Sequence, residues 1–155
     1  MLLAALDEAY DRTAAWHGAN LRGALRGVDA ATAAWRPAPA RHNIWELTLH
    51  AAYWKDVVRR RISAVPGGRF PYSGSNFWRR PEGRPTKAAW EADRRVLDAM
   101  HHGLRRVVEA LPAERLQGRS GSAAEKLRRM IAGAAFHDIY HAGQIQLLKR
   151  LRART

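Results

Sequence analysis

The chain has 155 residues, 46% of them hydrophobic, which is the size of one domain that can bury a core without disulfides. It has no cysteine, so a disulfide framework and a thiolate metal site are both excluded, and a reacting thiol would have to arrive with a substrate. The N-terminal residues do not resemble a signal peptide, and no stretch reaches membrane-spanning length. We therefore expect a cytoplasmic protein with no membrane contact.

The net charge of +13 and the sequence pI near 11.4 raise the question of a nucleic-acid partner. A basic face gains affinity for nucleic acid by releasing counterions from the phosphates. The 27 basic residues, however, are mostly arginines spread along the whole chain among many alanines. Such a composition also follows from base-composition bias in the coding sequence, and we favour that explanation over a nucleic-acid partner.

The first predicted helix runs from about Leu2 to Arg26, because residues at helical spacing form an inward-facing stripe. Gly18, Gly23 and Gly27 weaken this helix, each by up to about 1 kcal/mol relative to alanine. His17 lies on the stripe. It is either a hydrogen-bonded core histidine, the interpretation that we favour, or a pocket residue and fourth metal ligand.

A connector from Val28 to His42, with a short helical turn at Ala30 to Trp35, leads to the second predicted helix. Asn43 followed by Glu46 is typical of a capping box at the start of a helix, which then extends to about Ile62. The inward-facing stripe of this helix contains Leu47, His50, Trp54, Val57 and Arg61. Its histidine is a candidate ligand, and its tryptophan is a candidate pocket residue.

The segment from Val65 to Pro85 is rich in glycine and proline and is long for a loop in a compact domain. Two interpretations are open. The segment either only connects two parallel helices, or it also lays its aromatic side chains and Asn76 over the mouth of a pocket.

The third predicted helix begins after Thr86 and ends before Pro112. His101 and His102 are adjacent, so they point about 100° apart and at most one of them can face the core. We interpret both as surface or interface histidines.

The fourth predicted helix starts at a capping box, Ser122 to Glu125, and runs to about Leu151. His137 and His141 stand four residues apart on its apolar stripe, so the two imidazoles lie on one face, where a pair can hold one metal ion. Asp138 is a candidate for supporting the ligands, although its position turns it away from the ligand face. Gln144 either lines the same pocket or only packs.

Four amphipathic helices without a strand pattern predict a four-helix bundle, a fold that buries metal sites between facing helices. His50 with His137 and His141 would give a neutral three-nitrogen site suited to zinc, nickel or iron. The other interpretation, for the pair on the fourth helix, is two core histidines held by hydrogen bonds.

The stretches HNIWELTLHAAYW and, further along, HDIYHAGQIQLLKR resemble the DinB-like (DinB/YfiT) superfamily, and the resemblance extends over nearly all of residues 1–155. It implies a single up-down-down-up four-helix-bundle domain with a long crossover between the second and third helices. It also implies a divalent ion bound by His50, His137 and His141, a homodimer, and kinship with thiol-dependent S-transferases.

Two enzymatic hypotheses follow for such a site. The metal either activates a low-molecular-weight thiol as a nucleophile toward a small electrophilic substrate, or it activates water for hydrolysis. A third hypothesis is a non-catalytic, metal-binding homodimer that serves as an interaction module.

Overall fold

The computed structural model of the chain describes residues 1–11, 16–63 and 70–154. Every regular element in these residues is helical, as the sequence predicted, and no strand occurs among them. The helices are α1 (Leu2–Tyr10), α2 (Leu21–Ala24), α3 (Ala30–Ala34), α4 (Ile44–Ile62), α5 (Lys87–Glu109) and α6 (Ala123–Arg152), with a 3₁₀ turn at Ala113–Leu116. None of these helices is long and apolar enough to cross a membrane.

Helices α4 and α5 run parallel to each other. The indole Nε1 of Trp45 near the start of α4 donates to Asp93 of α5 at 2.7 Å, and further along both helices Lys55 Nζ lies 3.4 Å from His101 Nδ1. Parallel neighbours require a long connection, and residues 63–86 provide it. The predicted crossover therefore joins these two helices.

Helices α6 and α1 run opposite to this pair. From His50 to Lys55 the residue number rises along α4, whereas the contacting residue of α6 falls from His141 to Asp138. Helix α1 is likewise antiparallel to α5, because its residues Asp7 and Tyr10 contact Arg105 and Asp98 in reverse order. The four long helices therefore form an up-down-down-up bundle.

Side-chain caps begin the three longest helices where the sequence predicted them. Asn43, Thr86 and Ser122 each accept a hydrogen bond from the backbone N–H three residues later. The carboxylate of Glu46 does not complete a capping box on α4. It accepts instead from the backbone N–H of Arg80 at 3.0 Å, which ties the crossover segment to the start of α4.

The prediction of one helix from Leu2 to Arg26 is wrong. Helix α1 ends at Tyr10, and the described residues 16–20 form turns and extended chain before α2 begins. Gly18 has φ +93°, a left-handed conformation that breaks the helical path, and the side chain of Asn20 then caps α2 by accepting from Gly23 N–H at 2.7 Å. Residues 12–15 of the predicted helix, among them Ala14, lie outside the described residues.

The core consists of two apolar halves separated by a layer of buried polar side chains. One half surrounds Trp45, Trp90 and Ile145, and the other surrounds Leu104 and Ile131. The polar layer between them comprises His50, Lys55, Asp56, His101, Asp138 and His141, all of them buried. Buried polar groups are costly unless they are paired, so this layer is where a functional site is expected.

Candidate metal centre

Three histidines converge in the polar layer, one from α4 and two from α6. His137 Nε2 lies 3.2 Å from His50 Nε2 and 3.0 Å from His141 Nε2, and one nitrogen of each ring lies within 4.8 Å of the others. His50 and His141 are buried and His137 is half-buried. The four-residue spacing on α6 places its two rings one above the other, facing α4.

Hydrogen bonds to the outer nitrogens fix how two of the rings face the cluster. His50 Nδ1 lies 2.8 Å from the backbone carbonyl of Asn76, and His141 Nδ1 lies 2.6 Å from Oε1 of Gln144. Both oxygens accept, so each Nδ1 carries the proton and donates it. The Nε2 atoms of these two neutral rings are consequently left as lone pairs that point into the cluster.

The converging lone pairs favour a cation. If His137 is neutral with its proton on Nε2, it can donate to His50 or to His141 but not to both at once. At least one pair of electron-rich nitrogens then stays close without a hydrogen between its members. A divalent ion bound to all three Nε2 atoms would remove this repulsion, and the neutral donor set with open positions is one that zinc, nickel and iron accept.

Burial keeps the three imidazoles neutral at physiological pH. It lowers the pKa of His137 to about 3, and the neighbouring His141 and His50 rings add to that effect. Burial likewise lowers the pKa of His141 to about 4, although the hydrogen bond to Gln144 opposes the change, and it lowers the pKa of His50. The cluster is therefore in the deprotonated form that metal binding requires.

Aromatic rings enclose the cluster on the side of α4 and the crossover. Phe77 stacks on His50 with ring centroids 3.8 Å apart, and Trp54 stands edge-on at 6.2 Å from His50 and 6.5 Å from His137. Asn76 contributes its main-chain carbonyl to His50. The crossover segment thus lies directly on one ligand ring.

Two further residues predicted for the site, Gln144 and His17, differ in whether they contact the cluster. Gln144 contacts the cluster through His141 and also donates from Nε2 to the Tyr140 hydroxyl at 3.1 Å. His17 lies in the turn before α2 and is not one of the three grouped histidines, and neither of its ring nitrogens has a hydrogen-bond partner among the residues that the structure describes. Only His17, then, is not linked to the cluster by a described contact.

The interpretation of His101 as a surface histidine is wrong. Its side chain is 1% exposed and stacks on Tyr10 with centroids 3.7 Å apart, and burial with the nearby Lys55 ammonium lowers its pKa to about 2. Its neighbour His102 is exposed. The spacing from Leu97 to Leu104 places His101 on the inward stripe of α5, so helical periodicity could have identified it.

A buried ion pair beside the cluster was not predicted. Lys55 of α4 donates to Asp138 of α6, and both side chains are almost completely buried. Burial raises the pKa of Asp138 to about 6, and the Lys55 ammonium opposes that rise. Asp138 follows His137 directly and indeed points away from the cluster, so its partner is this lysine and no histidine. A lone lysine within a helical sequence gives no signal that it is buried.

A comparison with protein-family models gave a match, and it spans the whole site. The family model described as the DinB superfamily matches residues 5–145, a range that includes all three histidines and the crossover. Comparisons with curated proteins and with solved structures gave no significant match. The match covers most of the 155 residues, and on that basis the chain is a member of the DinB superfamily.

Proposed function

We propose that the protein binds one divalent metal ion through His50, His137 and His141 and uses it to activate a small nucleophile. The observation that carries the proposal is the convergence of three neutral rings, in which His137 Nε2 lies 3.2 Å from His50 Nε2 and 3.0 Å from His141 Nε2. A bound divalent ion supplies Lewis acidity, which favours the deprotonated form of a thiol or of water. We further propose that residues 1–155 make up one domain with this single function.

The side chains around the cluster have separate tasks in this proposal. The Asn76 carbonyl and Gln144 hold the tautomers of His50 and His141, so that both Nε2 atoms stay available. Phe77 and Trp54 exclude water from one side of the cluster. With no cysteine in the chain, the thiol of an S-transfer reaction is a second substrate. The resemblance favours the thiol reaction, whereas hydrolysis requires only the site.

Elemental analysis tests the metal proposal. Protein purified without added metal or an immobilised-metal column should contain about one zinc, nickel or iron ion per chain, and the triple alanine variant of His50, His137 and His141 should contain none. His102→Ala is the matched control, because this histidine is exposed, and it should retain the ion. Equal metal content in the triple variant and the wild type would refute the site.

The type of reaction is tested on the metal-loaded protein. Loss of a free thiol together with an electrophilic substrate, at equal rates, supports S-transfer. Release of acid from an ester or amide without a thiol supports hydrolysis. Neither reaction should occur in the triple variant. Full metal occupancy with no turnover of any substrate pair would favour a non-catalytic role.

The second candidate function is that of an interaction module that forms a homodimer. An exposed apolar stripe on α6 favours it. Phe136, Tyr140 and Leu147 are 67%, 63% and 58% exposed, and Leu151 is 39% exposed. Spacings of four and seven residues place them on one face of the helix. We infer that a second copy of the chain covers this face. Phe136→Ser with Leu147→Ser should lower the mass measured by light scattering from two chains to one, and a monomeric wild type would contradict the inference.

A further inference from the structure

A small basic cleft lies beside the three histidines, between the start of α4 and the crossover segment. Its volume is about 170 Å³, enough for a carboxylate or phosphate group. The residues that matter in its lining are Arg36, Arg41, His42, Glu46, Phe77 and Arg79.

A hydrogen-bonded ion pair forms the base of the cleft. The guanidinium of Arg36 donates to both carboxylate oxygens of Glu46, and its remaining terminal hydrogens go to the carbonyls of Arg41 at 2.6 Å and Arg80 at 3.2 Å. Glu46 also accepts from the backbone N–H of Arg80. The pair is therefore saturated, its charges cancel, and it fixes the main chain on both sides of the cleft.

Two arginines at the rim remain without a partner. Arg41 and Arg79 are exposed, and within the described part of the chain their side chains form no hydrogen bond or ion pair. The Arg36 pair anchors the main chain at both positions, through the carbonyl of Arg41 itself and through the carbonyl of Arg80, which follows Arg79. The two guanidinium groups thus give the cleft two uncompensated positive charges, and such groups bind carboxylate or phosphate oxygens in a fork geometry.

The Phe77 ring lies between the cleft and the histidines, and it is only half-buried. Phe77 stacks on His42, which lines the cleft, with centroids 3.9 Å apart, and on His50 of the cluster at 3.8 Å. Only two ring spacings therefore separate the cleft wall from a candidate metal ligand, and a small molecule that reaches both has to pass over the edge of Phe77.

We propose that Arg41 and Arg79 bind the carboxylate or phosphate group of the small molecule whose reactive end lies at the three histidines. Where this molecule is the thiol co-substrate, the two arginines select a thiol that carries such an anionic group over a thiol without one. The link to the reactive end rests on the proposed function, whereas anion binding in the cleft does not.

Anion binding is tested first on metal-free protein. Succinate and inorganic phosphate, titrated separately against side-chain NMR signals of arginine, should bind the wild type and bind Arg41→Gln/Arg79→Gln about tenfold more weakly. Arg95→Gln/Arg106→Gln removes two exposed arginines elsewhere and is the charge-matched control, which should bind like the wild type. Equal weakening in both variants would show that only net charge matters and would overturn the proposal. The better of the two probes distinguishes a carboxylate from a phosphate.

The link to the cluster is tested on cobalt-substituted protein, in which a bound thiolate gives a charge-transfer band. Glutathione should bind about tenfold more tightly than its diethyl ester, in which both carboxylates are blocked. This preference should vanish in Arg41→Gln/Arg79→Gln and persist in Arg95→Gln/Arg106→Gln. Binding of both thiols without a preference would overturn this inference and leave the proposed function standing. Cobalt uptake without a band from either thiol would instead refute the thiol reaction, and the succinate titration would then decide on the cleft alone.

Discussion

Mild acid should strongly destabilise the metal-free protein, because three histidines, two of them buried and one half-buried, resist protonation in the folded state. The pKa values of His101, His137 and His141 are lowered to about 2, 3 and 4, chiefly by burial. Each imidazole has a pKa of about 6.5 in the unfolded chain. The unfolded state therefore binds protons that the folded state does not, and stability falls as the pH drops below about 6.5.

The size of the effect follows from these values. At pH 5 each ring is held neutral about 1.5 pH units below its unfolded pKa, which costs about 2 kcal/mol per histidine and about 6 kcal/mol in total. The raised pKa of Asp138 acts in the opposite direction and offsets about 1 kcal/mol between pH 7 and pH 5. The net loss of about 5 kcal/mol is comparable to the whole stability of a small domain, about 5–15 kcal/mol.

Urea unfolding of protein stripped of metal with a chelator measures this loss at pH 7.5, 6 and 5. His101→Phe keeps a ring against Tyr10 and should reduce the pH-dependent loss by about 2 kcal/mol. His102→Phe, at an exposed position, should leave the loss unchanged. A wild-type stability that varies by less than about 1 kcal/mol between pH 7.5 and pH 5 would refute the reasoning.

Three substitutions give further expected outcomes. Gln144→Leu removes the acceptor for His141 Nδ1 and should weaken zinc binding about 10- to 100-fold in a competition titration, and unchanged affinity would show that packing alone orients the ring. Lys55→Met leaves the buried Asp138 carboxyl without its ammonium and should lower the unfolding free energy by about 3–5 kcal/mol, whereas Lys55→Met/Asp138→Leu should recover most of the loss. Equal losses in these two variants would contradict that account. Ser122→Ala should cost about 1 kcal/mol in thermal unfolding through loss of the α6 cap, and an unchanged Tm would show that the cap is dispensable.

Local sequence signals were sufficient for the starts of three helices and for the pairing of two histidines. The starts of α4, α5 and α6 follow from Asn43, Thr86 and Ser122, since a side-chain cap depends on residues only three positions away. The pairing of His137 with His141 follows equally from helical spacing. The position of His50 relative to that pair depends on how α4 packs against α6, and the family resemblance supplied this information.

The sequence did not indicate the turn at Gly18, the buried ion pair or the main-chain role of Asn76. A turn around Gly18 interrupts the predicted first helix, and a few glycines in a helical pattern do not identify which one adopts a left-handed conformation. The ion pair of Lys55 with Asp138 joins residues 83 positions apart, so no local pattern indicates it. The Asn76 carbonyl contacts His50 through the main chain, a role to which the side-chain identity at that position gives no clue.

The buried ion pair and the histidine cluster are best understood together. Lys55 and His50 lie on α4, Asp138 and His137 lie on α6, and the pair joins the two helices beside the cluster. A buried pair contributes little net stability, because desolvation offsets most of its attraction, but a misaligned pair is costly. A shift of α6 by one residue would move it about 1.5 Å, which would break the pair and separate the Nε2 atoms. We infer that the apolar halves of the core stabilise the bundle, whereas the ion pair fixes the helix alignment that brings the three histidines together.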